Sequence, residues 1–263
     1  LLFPQNRFSD FLRQIPSMKP SVSAVLITRN EEAKIERCLR SLSWADEIVV
    51  VDAESGDRTV EICRKYSSKV FVRPFTDFSD QKNFAISQAS GDWIFSIDAD
   101  EEVTPELKEE LLMTVLAPSA DGYRVRRASF IFNRRMRFTG TQDDRPLRLW
   151  KKEKAVFKQP VHEMVELNGR AGSLKAVLNH YTYETIGAYL KKLNQYTSME
   201  ASFMNEKGRP KETVSDYLWK PVGMFLKLYF AKQGFRDGFQ GFLFSWLSGY
   251  YIFIKHAKRA EVL

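Results

Sequence analysis

Apolar residues in the first hundred positions fall into short runs that alternate with stretches of helical spacing. Val22 to Thr28 reads as a strand, and after Asn30 the residues Ile35, Cys38, Leu39 and Leu42 share one face of a helix. Glu47 to Asp52 is a second strand. Ser55-Gly56-Asp57 then turns the chain into a helix from Arg58 to about Ser67, followed by a short strand from Lys69 to Arg73. A helix around Asp80 to Ala89 leads into Asp92-Trp93-Ile94-Phe95-Ser96-Ile97, whose apolar residues predict a buried strand. Strands alternating with helices imply parallel pairing through right-handed crossovers, hence an α/β fold with a doubly wound, mostly parallel sheet. Such sheets place ligands along the carboxyl ends of their strands, and Thr28, Asn30, Asp52 and Asp98 all fall on that edge.

The last third of the chain has a different pattern. Val222, Phe225, Leu226, Tyr229 and Phe230 form one helical stripe, with Lys220, Lys227 and Lys232 away from it. After a bend from Gly234 to Gly241, Phe239, Phe242, Leu243, Trp246, Leu247, Tyr250, Tyr251 and Ile254 form a second stripe. Gly238 to Ile254 is free of charge for 17 residues, short of the ~20 that span a bilayer. Two basic, aromatic-rich amphipathic helices fit an element lying on an anionic membrane surface. The same stripes could instead pack on the rest of the chain or form a homo-oligomer contact, since Gly241, Ser245 and Gly249 permit close helix approach.

Candidate chemistry centres on Asp98-Ala99-Asp100 at the end of the Trp93 strand. One or two carboxylates there could hold Mg2+ or Mn2+ while diphosphate oxygens and water fill the other positions. Glu101, Glu102 and Glu106 follow at once, so the acids could equally serve the start of the next helix.

Four segments together carry a family resemblance. Leu26-Ile27-Thr28-Arg29-Asn30-Glu31-Glu32, Val51-Asp52-Ala53-Glu54-Ser55-Gly56-Asp57-Arg58-Thr59, Asp77-Phe78-Ser79-Asp80-Gln81-Lys82-Asn83 and Asp98-Ala99-Asp100-Glu101-Glu102 resemble the motifs of glycosyltransferase family 2. They are most similar to its lipopolysaccharide-core β-glucosyltransferase branch. The likeness is strongest from Ser21 to about Leu112 and continues more loosely through Val161-His162-Glu163 and His180-Tyr181.

The resemblance implies a GT-A, Rossmann-like fold and inverting transfer of a hexose, glucose in that branch, from a UDP-sugar. By similarity, Thr28, Asn30 and Glu32 line the nucleotide pocket and Asp52 accepts a hydrogen bond from the uracil. Lys82 lies near the base or phosphates, Asp98 near the ribose or on the metal, and Asp100 on the metal. The second motif departs from the branch, which usually reads Asp-Ser-Gly-Ser-Thr-Asp: here Glu54 stands in place of the glycine.

Inverting transfer also needs a base on the acceptor hydroxyl. Glu163 is the candidate, because Val161-His162-Glu163 is a short polar break after Lys158-Gln159-Pro160 and matches the position of the family's acidic base; a solvated strand residue is the plainer alternative. His180 leaves an apolar stretch much as Asp98 does and is a candidate third metal ligand or a structural group. His162 could orient the base or acceptor, and His256, among Lys255, Lys258 and Arg259, is expected at the surface.

The chain of 263 residues is 44% hydrophobic, enough for one large core. Cys38 and Cys63 fall on expected core faces and read as buried thiols, which suits a reducing compartment. Residues 1–20 lack a signal-peptide pattern and form an N-terminal arm, or extraneous residues ahead of Met18. The expected organisation is then a nucleotide-sugar-binding half at 21–112, an acceptor-binding half at 113–187 and a membrane-associating tail at 188–263.

Formal charge is +7, nearly all of it in the tail, where twelve Lys and Arg face six Asp and Glu. Tyr123 to Arg148 is crowded with arginines that could meet a phosphorylated lipid acceptor or the donor diphosphate. No nucleic-acid motif accompanies the charge, and no Gly-rich phosphate loop follows the first strand, which argues against a nucleotidyltransferase. The expected activity is hexosyl transfer to a lipid-linked acceptor, most simply the lipopolysaccharide core, on the cytoplasmic face of a bacterial inner membrane. A polyprenyl-phosphate or capsular acceptor, or a catalytically silent membrane-binding module, are the alternatives.

Overall fold

The computed structural model describes residues 19–158, 164–206 and 210–262. The N-terminal arm before Lys19 and the Val161-His162-Glu163 segment, with its candidate base, lie outside the described residues. The chain divides into two compact units, Leu1–Val125 with Pro146–Ala176, and Arg126–Arg145 with Val177–Leu263. The expected 21–112 and 113–187 segments both contribute to the first unit.

In the first unit, β1 (Val22–Thr28), β2 (Glu47–Asp52), β3 (Lys69–Val72) and β4 (Trp93–Ser96) pair in parallel in the order β3-β2-β1-β4. Helices α1 (Ile35–Ser41), α2 (Thr59–Arg64) and α3 (Phe78–Gln88) connect them. The expected α/β class is therefore observed, with helix ends shifted by a few residues. After β5 (Glu101–Val103) and α4 (Pro105–Leu116) come β6 (Gly122–Ile131), β7 (Arg134–Arg135), β8 (Leu147–Lys151), β9 (Ala155–Lys158), β10 (Met164–Leu167) and β11 (Ala171–Tyr183). They turn the sheet mixed: β8 runs antiparallel to β4 and the start of β6 antiparallel to β8, while β9 and β10 pair with each other.

Of the parallel strands, β1, β2 and β4 are largely buried, as their continuous apolar runs require, whereas the edge strand β3 is half-buried. Val25, Val49, Val51, Ala85, Ile94, Trp150 and Phe157 form one core cluster. Cys38 and Cys63 are buried free thiols, as expected. Register then places the site. Thr28 lies beside Asp52 and Asp52 beside Val72, so the polar residues that end the strands share one edge.

The second unit contains the basic, aromatic tail. Helix α5 (Ile186–Glu206) is followed by a short α6 (Val214–Tyr217) and by α7 (Trp219–Leu226), which continues as a π-helical turn over Lys227–Ala231. Gln233 and Gly238 both take left-handed backbone angles and reverse the chain into α8 (Gly238–Val262). Helices α7 and α8 pack against each other, Gly249 facing α7 while Gly241 and Ser245 face the turn at Gly234. A β-carbon added at Gly249 would lie 2.7 Å from the Pro221 carbonyl oxygen, and one at Gly241 only 1.9 Å from that of Gly234.

The polarity of α8 is inverted. Gly241, Ser245, Gly249, His256 and Arg259 are buried, whereas Phe239, Phe242, Trp246, Tyr250 and Phe253 are exposed. His256 is thus not a surface residue: it is 6% exposed, with Nδ1 3.3 Å from a Glu212 oxygen that also accepts a 2.8 Å bond from Arg259. The cluster of neighbouring lysines misled the sequence reading because a helix can turn such a residue inward when a buried carboxylate pairs with it. No helix among the described residues is long and apolar enough to cross a membrane.

Because the obstruction at Gly241 is backbone rather than a movable side chain, Gly241→Ala is expected to destabilise the helical hairpin by about 1–3 kcal/mol. A lowered thermal unfolding midpoint would show this; an unchanged midpoint would mean that the close approach is not formed.

Candidate active site

Two loops meet at the carboxyl edge of β1 and β2. Asn30, in a left-handed conformation, donates its N–H to Ser55 Oγ at 2.8 Å and accepts at Oδ1 from the Gly56 N–H at 2.8 Å. Glu32 accepts from the Arg58 N–H at 3.0 Å, and its own N–H reaches Asp57 at 3.3 Å. Asp52 is fully buried and takes the Ser55 N–H at 2.8 Å and the Ser55 hydroxyl at 2.5 Å. Three of the expected nucleotide-pocket residues are therefore held in one hydrogen-bonded frame.

Glu54, in the position of the family's glycine, also adopts a left-handed backbone, with φ at 55°. That conformation is free to glycine and costs other residues about 1–2 kcal/mol, so the departure at this turn leaves its shape intact at an energetic cost. Thr28 Oγ1 is buried with no hydrogen-bond partner among the described residues. An unsatisfied buried hydroxyl costs about 1–3 kcal/mol, which a polar ligand group at this edge would relieve.

A second group of charges lies at the end of β4. Lys82, brought in by α3 and buried, places Nζ 3.3 Å from Asp98 Oδ1 and 5.0 Å from the centre of the Phe157 ring. Arg148, on β8, donates from one terminal nitrogen to Asp98 Oδ2 at 2.5 Å and to Glu101 Oε1 at 2.6 Å. Glu101 in turn accepts the Asp98 N–H at 2.9 Å, and the Asp98 carbonyl accepts the Glu101 N–H at 3.0 Å. This ties Asp98-Ala99-Asp100-Glu101 into a closed turn, with Asp98 and Asp100 half-buried.

Burial disfavours the Arg148 charge, but the Asp98 and Glu101 carboxylates hold its pKa well above the usual arginine range. Burial, with the Glu101, Asp100 and Asp98 charges behind it, pushes the Cys38 thiol up, and this sulfur lies 3.5 Å from the Asp98 carbonyl oxygen. Cys38 is therefore a neutral packing group beneath the turn.

Arg148 and Glu101 are the residues that sequence reasoning missed. Glu101 belongs to a motif whose acids the sequence also allows to serve the start of the next helix. Instead it sits in β5, while Thr104 caps α4 by accepting the Leu107 N–H at 3.2 Å. The available signal was a lone Arg inside Leu147-Arg148-Leu149-Trp150, because a cation in a buried strand requires a buried anion.

Among the described residues no group of three or more His, Cys, Asp and Glu side chains is placed to hold a metal ion. His180, on β11 (Ala171–Tyr183), belongs to the part of that strand in the second unit, with Thr182 Oγ1 3.2 Å from its Nδ1. The donor set at the Asp98 turn suits a hard cation that takes one or two carboxylates and completes its shell from diphosphate and water.

A profile of the family described as "Glycosyl transferase family 2" matches residues 23–181, and the chain belongs to that family. It is therefore a glycosyltransferase, as its motifs imply. It is 31% identical over 262 residues to "Uncharacterized glycosyltransferase RT0209" of Rickettsia typhi, covering 92% of this chain and 87% of that protein. It is also 31% identical over 250 residues to "Lipopolysaccharide core biosynthesis glycosyltransferase LpsC" of Rhizobium meliloti, covering 91% and 92%. Among solved structures, a mannosyltransferase from Pyrobaculum calidifontis in complex with GDP-Man and Mn2+ shares the fold, with a TM-score of 0.54 at 15% identity over 97% of this chain and 92% of that one.

Removing Arg148 strands a buried carboxylate. Arg148→Met is expected to lower stability by about 3 kcal/mol or more, measured as the urea midpoint, and the added change Glu101→Gln should recover part of it. A single variant as stable as the parent would show that this ion pair does not hold the turn.

Proposed function

We propose that the enzyme transfers a hexose, glucose by family resemblance, with inversion from a UDP-sugar to a lipid-linked acceptor of the lipopolysaccharide core. We place it peripherally on the cytoplasmic face of the inner membrane. The observation that carries the donor half is the convergence at one sheet edge of the Asn30–Asp52–Ser55 frame, the unpartnered Thr28 hydroxyl and the Lys82–Asp98–Arg148–Glu101 network. The acceptor half rests on similarity to LpsC over nine-tenths of both chains.

In this reading Thr28, Asn30 and Glu32 line the nucleotide pocket. Asp52 keeps a lone pair on each oxygen beyond those used by Ser55, and it accepts from the base. Asp98, oriented by Lys82 and Arg148, meets the ribose. Both of its oxygens face cations, and by family resemblance Asp100 is the carboxylate that holds Mg2+ or Mn2+. The ion, when bound, offsets charge on the departing diphosphate. The buried Lys82 ammonium supports the same charge from the protein side. Glu163 takes the proton from the acceptor hydroxyl. A carboxylate in a partly desolvated cleft has a raised pKa, which suits it to that task near neutral pH.

Purified protein should release UDP slowly from UDP-glucose in the presence of Mn2+ or Mg2+, and Asp100→Ala should reduce this by at least a hundredfold; equal release by the variant would remove Asp100 from the metal site. Glu163→Gln should leave UDP-glucose binding, read by calorimetry, unchanged while transfer to acceptor falls by about 10²–10⁴-fold. Undiminished transfer would eliminate Glu163 as the base.

A further inference from the structure

The second unit holds a cluster of cations that the sugar chemistry does not use. Arg134, Arg135, Arg137, Phe138, Arg236 and Asp237 line a cavity of about 390 Å³. All four arginines are exposed, and among the described residues none is paired with a carboxylate. Arg134 contacts Gln240 at 3.4 Å, and Arg236 contacts Gln233 at 2.8 Å while stacking 4.3 Å over the Phe138 ring.

The one acid present is engaged elsewhere. Asp237 is buried and accepts the backbone N–H groups of Arg137 and Phe138, at 3.1 and 2.9 Å. Four arginines lining one cavity, with Arg236 positioned over Phe138 and Arg134 beside Gln240, suit the recognition of phosphate oxygens.

The neighbours of this cavity narrow the ligand. Arg236 and Asp237 are flanked in sequence by Phe235 and Phe239, which are 49% and 69% exposed. A β-carbon at Gly238, the first residue of α8, would lie 3.2 Å from Arg134 Nη1. The cavity therefore borders the end of α8, from which the exposed aromatic row of Phe239, Phe242 and Trp246 departs. A free phosphate ester would use only the arginines, whereas a phosphate joined to hydrocarbon satisfies both surfaces. Self-association is the poorer fit, because a two-fold contact across this face would bring like-charged arginine clusters together.

We propose that Arg134, Arg135, Arg137 and Arg236 bind the headgroup phosphate of an anionic phospholipid, with the exposed aromatic row of α8 entering the headgroup and acyl boundary beside it. This gives the peripheral-membrane part of the proposed function specific residues, and it is independent of the catalytic part.

The test is co-sedimentation with phosphatidylcholine vesicles made with and without phosphatidylglycerol. The parent protein should prefer vesicles containing phosphatidylglycerol. The double variant Arg134→Gln/Arg135→Gln, with an unchanged unfolding midpoint, should bind them roughly thirtyfold more weakly and lose the preference. Trp246→Ser should weaken binding to both kinds of vesicle, and millimolar inorganic phosphate should not displace the parent protein. Asp100→Ala should sediment like the parent, so that failure of the donor site and failure of the lipid site are read separately. Equal binding by the double variant, no preference for phosphatidylglycerol, or displacement by phosphate alone would each overturn the assignment.

Discussion

The Arg148 guanidinium is the interaction on which the site depends. It sits within the apolar strand that pairs with β4 and bonds two carboxylates from the turn that β4 feeds. An acidic turn placed over a buried hydrophobic sheet would repel itself and resist desolvation. With Arg148 beneath it and Lys82 at its side, Asp98 and Glu101 are paired and held in position. Asp100 stands in the same turn, two residues after Asp98 and next to Glu101. The buried cation of Arg148 thus ties the turn to the sheet, and the position of the candidate metal site follows from it.

The neighbouring edge works by a different economy. The loops after β1 and β2 are joined mostly by hydrogen bonds between side chains and backbone, with Asn30, Ser55 and Asp52 at their centre. Left-handed backbone at Asn30 and Glu54 lets both loops turn sharply and present their polar atoms along the edge. Strain at Glu54 and the unsatisfied hydroxyl of Thr28 are local costs borne by a well-packed parallel sheet. Such costs concentrate at sites that must meet a ligand.

The second unit buries apolar residues such as Leu178, Leu193 and Met204, but its last helix departs from that arrangement. Its terminal helix buries glycines, a serine and a histidine–glutamate–arginine cluster, and it exposes phenylalanine and tryptophan. The buried face can be small and polar because α7 approaches it at backbone distance and α5 supplies partners. Tyr251 donates to Glu200 at 2.7 Å, and Lys258 to the Asn194 carbonyl at 2.6 Å. Water would not favour this surface alone, whereas an interface that accepts aromatic rings and anionic groups together would.

The sequence by itself determined the alternating strands and helices, the buried faces of α1 and α2, and the gathering of Thr28, Asn30, Asp52 and Asp98 on one edge. Each of these follows from a short-range rule, the period of apolar residues or the direction of a parallel strand. The tertiary structure alone decided that Arg148 pairs with Glu101, 47 residues away in the chain, and that His256 turns inward toward Glu212, 44 residues away. It also decided which stripe of α8 faces out. Periodicity shows that a helix has two faces, but only the small residues and buried ion pairs of the folded chain choose between them, because a charge goes inside only where a distant partner awaits it.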